Sequence, residues 1–138
     1  MANIHKPDEN IKTDVATVLV TLTGGASPAL YFSMQNYDLA WFIVHCHTNA
    51  ASAGTLSCAM QEQIGAAGGG IQLLKAAATL VTAGTLDVSL FARGEDLTVN
   101  SGYTHIGIII TEGNTQPVTV SAVLCRLRAR YKQAILLA

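Results

Sequence analysis

The sequence predicts an all-β protein, an antiparallel β-sandwich or jelly roll of about seven to eight short strands. Three observations lead there. Apolar and β-branched residues alternate with small or polar ones, the two-residue period of a strand. Gly, Asn, Ser and Pro interrupt these runs at regular spacing, as tight turns require. Leu39 to Gln61, one of the two longest uncharged stretches, holds Thr48, Asn49, Ser52, Thr55, Ser57 and two histidines, too polar for the roughly 20 apolar residues of a spanning helix.

Val15 to Thr23 reads as the first strand, with Ala16, Val18, Val20 and Leu22 on one alternating face. Gly24, Gly25, Ser27 and Pro28 stop it. Leu39 to Thr48 forms a second, placing Leu39, Trp41, Ile43, His45 and His47 together and Phe42, Val44 and Cys46 opposite, so both faces read as largely covered. After the small-residue turn Asn49 to Gly54, Leu56, Cys58 and Met60 alternate with Ser57, Ala59 and Gln61, a strand with one polar face that runs into the Gly65 to Gly70 loop. Ile71 to Leu80 stays open: Ala76 to Ala78 favour a short helix, whereas Thr79, Val81, Thr82 and Gly84 fit a strand or irregular segment. Then come Thr85 to Phe91, a turn at Gly94, Leu97 to Val99, a turn at Ser101 and Gly102, and Tyr103 to Thr111. A turn at Glu112 to Asn114 leads to Val118 to Tyr131, whose apolar set passes from Val118, Val120, Ala122 and Leu124 to Val123, Cys125, Leu127 and Tyr131. That change of parity predicts a bulge or a passage between sheets. Residues 1–14 read as a polar arm, and 15–138 as a single sandwich domain.

The 138 residues are 12% charged and 50% hydrophobic, against about 25% charge in an average soluble domain. Much of the surface is expected to be covered, and a homo-oligomer follows. A net charge of -1 and a pI near 6.4 lack the basic excess of a nucleic-acid binder; neither nucleic acid nor membrane is expected as a partner. Cys46, Cys58 and Cys125 are widely separated and odd in number, which fits buried reduced thiols rather than a secreted disulfide framework. Met1 to Thr13 lacks the apolar core of a signal peptide, so synthesis in the cytoplasm is expected, with release by lysis if at all.

Four groups are candidate sites. Arg126, Arg128, Arg130 and Lys132, four of the eight Lys and Arg, share one strand face by alternation and read as partner-interface residues. Their acidic counterparts in a neighbouring copy would be Glu95, Asp96 and Glu112; the competing reading is a solvated edge that blocks unwanted pairing. His45 and His47 point the same way, as in metal-binding barrels, with His5 or His105 as third ligands. Their spacing is similar to the His-x-His of cupins, but the carboxylate that should follow closely is missing, the next acid being Glu62, fifteen residues on. A packed, hydrogen-bonded histidine pair is the expected role. Gly65, Gly68, Gly69 and Gly70 lack a P-loop context, since no Ser or Thr follows Lys75, and read as a hairpin connection. No Gly-x-Ser-x-Gly elbow supports a catalytic triad. No catalytic residue, metal or cofactor is expected.

Three segments carry a family resemblance: the Gly-rich hairpin after the Thr55 to Gln63 strand, the isoleucine-rich Tyr103 to Thr111 strand, and the closing run Arg126, Leu127, Arg128, Ala129, Arg130, Tyr131. Together, over roughly the second two-thirds of the chain, the pattern resembles the small β-sandwich virion proteins of tailed bacteriophages, of the capsid decoration or head auxiliary type. The resemblance implies a non-enzymatic subunit located in the virion that binds other virion proteins such as the major capsid protein and stabilises the shell. The alternative is a metal-dependent, cupin-like β-barrel enzyme centred on His45 and His47.

Overall fold

In the computed structural model, which describes residues 11–49, 55–65, 69–81, 86–113 and 117–128, the alternating runs become nine strands. They are β1 (Ile11–Leu22), β2 (Gly25–Ala26), β3 (Tyr31–Ser33), β4 (Leu39–Asn49), β5 (Thr55–Ile64), β6 (Gly69–Val81), β7 (Leu86–Arg93), β8 (Tyr103–Glu112) and β9 (Val118–Leu127). Two antiparallel sheets pack as a sandwich. One has the order β1-β9-β4-β7; the other has β2-β8-β5-β6, with β3 also on β8. Because β2 and β3 both pair with β8, they act as one interrupted strand. The chain then fills eight positions while crossing repeatedly between sheets, the topology of a jelly roll.

The core lies between the sheets. Phe42 and Val44 of β4 and Val118, Val120 and Leu124 of β9 face Ile106, Ile108 and Ile110 of β8 and Leu56 and Met60 of β5, all fully or nearly fully buried. Each strand supplies every second residue, so the cost of ordering the backbone is offset by one continuous apolar layer.

Three expectations change, and one left open is decided. β9 keeps even-numbered residues inside from Val118 to Arg126 without a break, so the apolar face does not switch. The register shifts lie in the partner strands instead, at Val15/Thr17 and Thr17/Val20 of β1 and at Cys46/Thr48 of β4. In β1 they turn Ala16 and Thr17 both inward and leave Val18 70% exposed. That strand begins at Ile11, inside the segment expected to be a polar arm. Residues 71–80 belong to strand β6, paired with β5, because cross-strand partners outweigh the modest helix preference of alanine. Leu97 to Val99 is not a strand: 3-10 turns at Gly94–Asp96 and Val99–Ser101 flank it, and Gly102 closes the second with φ of 88°. The Asn49 to Gly54 turn and the last four residues of the expected Val118 to Tyr131 strand lie mainly outside the described residues.

Gly107 shows how closely β3 lies on β8. A Cβ there would come within 2.7 Å of Tyr31 Cδ1 and 2.8 Å of the Leu30 carbonyl oxygen. The missing side chain lets the Tyr31 ring approach this strand and donate its hydroxyl proton to Gln61 Oε1 at 2.7 Å. Burial raises the Tyr31 phenol above its ordinary range. Gly107→Ala is expected to displace β3 and cost about 1–3 kcal/mol, the usual penalty of overpacking. Urea unfolding measures it, and an unchanged midpoint would show that β3 moves away without loss.

Candidate functional site

Alternation in the four-stranded sheet assigns one side to the core and the other to solvent, and the register aligns the solvent side into rows. Nearest the end of β9, Ile11, Leu127, Leu39 and Arg93 are neighbours across the four strands. Thr13, Cys125, Trp41 and Phe91 form the next row, followed by Val15, Val123, Ile43 and Ser89. Beyond them stand Ser121, His45 and Asp87. Apart from Thr13, Arg93 and Ser89 on its two edge strands, this face is apolar over three rows and largely exposed: Trp41 is 41% accessible, Phe91 58%, and Ile11, Val15 and Val123 are also exposed. An apolar area of this kind on a protein surface marks an interaction site.

The polar end contains the histidine pair. His45 Nδ1 is hydrogen-bonded to Asp87 Oδ1, His47 Nε2 to Ser121 Oγ at 2.9 Å, and the two rings meet edge to face with centroids 4.3 Å apart. Both imidazoles therefore stand on a flat outer surface, whereas ligand sites are generally concave. His105 is on the other sheet, paired with Ser33 and Gln63, and His5 lies outside the described residues. Among the described residues, no group of three or more His, Cys, Asp and Glu is placed to hold a metal ion.

The basic row divides. Arg126 does not project outward: it is 4% exposed because its position has the same parity as Leu124, on the core side of β9. Its Nε and Nη2 donate to Asp14 Oδ2 at 3.0 and 2.6 Å, and Nη1 donates to the Ser33 carbonyl. The guanidinium also lies 4.7 Å from the Tyr37 ring centre and 5.6 Å from that of Phe32. This group joins both sheets. Arg128 is exposed and sits 5.7 Å from the same Tyr37 ring. Arg130 and Lys132 lie outside the described residues.

The proposed acidic counterparts are engaged within the chain. Glu95 accepts from Arg93 Nη1 at 3.2 Å. Asp96 accepts from the Arg93 backbone N–H at 2.8 Å and lies 3.4 Å from Lys75 Nζ. That backbone hydrogen bond chiefly holds its carboxyl below the ordinary value, against burial, with Lys75 and Arg93 assisting. Glu112 is buried and accepts from Gly24 N–H at 2.6 Å.

Sequence reasoning missed Glu62. It is 1% exposed, continues the inward parity of Leu56, Cys58 and Met60, and accepts from Thr98 N–H at 2.8 Å, from Thr98 Oγ1 at 2.7 Å and from Gln72. Its place in that alternation was the available signal. The thiols are likewise divided: Cys46 and Cys58 are buried, and Cys125 is partly exposed on the outer face. Burial, with a smaller contribution from Cys46, pushes the Cys58 thiol up to about 12.

A surface groove of about 600 Å³ lies beside the Arg126 group, lined by Tyr37, Asp38, Leu97, Tyr103 and His105 among others. Burial first, and the Arg126 charge second, hold His105 below the ordinary imidazole value.

Asp14→Ala is expected to cost about 3 kcal/mol by leaving the Arg126 charge buried without its carboxylate, the lower part of the usual range because Asp14 keeps some solvent access. Adding Arg126→Met should recover most of that loss in urea unfolding. The depressed His105 pKa means that the native state favours the neutral ring. Its proton linkage has no effect above about pH 6.5, lowers stability as pH falls below that value, and levels off below the folded-state pKa. His105→Gln should therefore flatten the fall in Tm between about pH 7 and 5.

No protein-family model and no curated protein matches this sequence. Solved structures do share its fold. A chain of the infectious bursal disease virus Gx strain superposes with a TM-score of 0.57 at 12% identity, covering 88% of this chain and 33% of that one. A chain of the T13 infectious bursal disease virus particle gives 0.55 at 12%, covering 86% and 31%, and the VP2 subviral particle of the same virus gives 0.54 at 11%, covering 86% and 33%. This chain thus spans about a third of the length of each, and what it shares with these viral-particle proteins is the β-sandwich fold.

Proposed function

We propose that this chain is a non-enzymatic structural subunit of a virion, of the tailed-bacteriophage decoration type, that attaches to the assembled capsid and stabilises it. The observation that carries this reading is the outer face of the four-stranded sheet, where Trp41, Phe91, Ile11, Val15 and Val123 stand exposed on rigid strands. Exposed apolar surface of this kind marks a contact site, and a shell subunit buries it. The fold shared with viral-particle chains supports the same reading. The stabilising mechanism is mass action: a subunit that binds only the assembled shell lowers the free energy of that state alone. The buried Arg126, Glu62 and Glu112 belong to the sandwich itself and leave the outer face as the surface for contact. A metal enzyme centred on His45 and His47 draws less support, since those rings lie on an open face and already bond Asp87 and Ser121.

The test is to purify particles from cells that carry the native gene and to locate the chain by mass spectrometry and immunogold labelling. It is expected in the particle fraction, at a copy number that scales with the shell, and elemental analysis of the pure protein should show no stoichiometric metal. Recovery only in the soluble fraction would overturn the virion role. About one tightly bound transition metal per chain would overturn the non-enzymatic part.

A further inference from the structure

We infer that Ala134, Ile135, Leu136, Leu137 and Ala138 fold back onto the outer face of the four-stranded sheet of their own chain and cover Trp41. The inference goes beyond the assembly reading: it names what lies on this face in the free subunit, where a stronger shell contact displaces it.

The course of β9 carries the first part of the argument. It runs in the middle of the sheet, between β1 and β4, and ends in the first row of the face. Leu127 is paired there with Ile11 and with Leu39, the first residues of those two strands. Among the described residues, no strand continues beside the chain past that point, so its backbone groups lose their ladder and the chain must take a new course. The outer face begins at Leu127 itself, which makes a return over that face a short path. Residues 128–133 are available for the reversal, and a hairpin needs only about two to five.

Size and composition agree with that path. Residues 129–138 lie outside the described residues, and within them 134–138 are an unbroken apolar run. Extended, five residues span ~16 Å, and the three apolar rows, two residues apart along the strands, cover roughly the same length. Four strands about 4.8 Å apart make the face on the order of 400 Å² of plane, half of the roughly 800 Å² per partner in a standard interface. A tethered segment manages with less. Its effective concentration is in the millimolar range, and it gives up little of the translational freedom that a free partner loses on binding. An area too small for a free partner therefore suits a segment of this chain.

Charge points the same way. The link carries Arg128, Arg130 and Lys132, and the place where it leaves the sheet is acidic. Asp38 donates its backbone N–H to the Leu127 carbonyl at 2.9 Å, and its own carbonyl accepts from Gly94 N–H at 2.8 Å, which brings Glu95 to the same end. Glu95 already has Arg93 as its partner, and Asp96 has Lys75. Asp38 is exposed and has no ion pair among the described residues, so a carboxylate stands ready beside the basic link.

Trp41, the single tryptophan, lies under the segment in this arrangement and reports it. The experiment compares the full chain with the double substitution Leu136→Asp and Leu137→Asp. These neighbours have opposite parity, so an inward side chain is lost whichever way the run lies. Both proteins are measured at a concentration where light scattering shows a monomer. The parent is expected to show blue-shifted Trp41 emission and weak quenching by acrylamide. The double variant should show a red shift, stronger quenching and roughly tenfold faster alkylation of Cys125, with the circular dichroism of the sandwich retained. Val123→Glu alters the face instead of the segment, and should speed tryptic cleavage after Arg130 and Lys132 by a similar factor; unchanged cleavage would overturn the inference. An exposed Trp41 in the monomeric parent would overturn it as well. So would a Trp41 that stays shielded in the double variant, which puts another segment on the face, or shielding that appears only as the mass rises, which puts a second copy there. The particle-fraction experiment decides the virion role separately.

Discussion

Arg126 brings a charge into a site only 4% exposed, where an unpaired cation costs several kcal/mol, so the fold must surround it with partners. Asp14 comes from β1, the Ser33 carbonyl from β3, and the Phe32 and Tyr37 rings from β3 and the segment that follows it. These groups span nearly the whole length of the chain and both sheets. Moving any of them exposes or strands the charge. The end of the sandwich where β9 finishes is thus fixed by electrostatics, while its middle is fixed by apolar burial.

Two carboxylates act in the same way on the other sheet. Glu62 and Glu112 sit at opposite ends of the isoleucine layer of β8, paired in register with Ile106 and Leu56 respectively. Glu62 draws in Thr98 and Gln72, and Glu112 holds the turn at Gly24. Each satisfies backbone donors that no ladder reaches, and burying such donors unpaired would cost about 1–3 kcal/mol apiece. At the open edge, Lys75 of β6 bonds the Phe91 carbonyl of β7 and approaches Asp96, joining the two sheets. Among the described residues, Arg126, Glu62, Glu112 and Lys75 spend their charge on the architecture itself.

That allocation has a functional consequence. With polar groups committed to the ends and edges, the outside of the β1-β9-β4-β7 sheet is left with aliphatic and aromatic side chains. A jelly roll hosts many activities, and the fold alone does not choose among them. A flat apolar face on rigid strands is suited to contact with another flat face.

Much of the fold was legible in the sequence because strand formation leaves a local, two-residue signal. The all-β class, the turns at Gly24 and Gly102, the inward set Leu56, Cys58 and Met60, and the buried Cys46 all follow from alternation and turn chemistry. What alternation does not specify is which parity faces inward when both are apolar, as in β4 and β9, and it is blind to a charge that has a partner. Arg126 and Glu62 were therefore assigned by polarity to solvent or left out, although each continues an inward-facing series. Their burial is decided by Asp14, 112 residues from Arg126, and Thr98, 36 residues from Glu62, groups that only the folded chain brings near. Trp41 reads as covered from its sequence and is 41% exposed in the fold for the same reason: its exposure depends on what stands opposite the sheet. The sequence by itself determined most of the strands and the composition of each face; the tertiary structure decided which face became interior, because burial is a property of two packed surfaces and not of one strand.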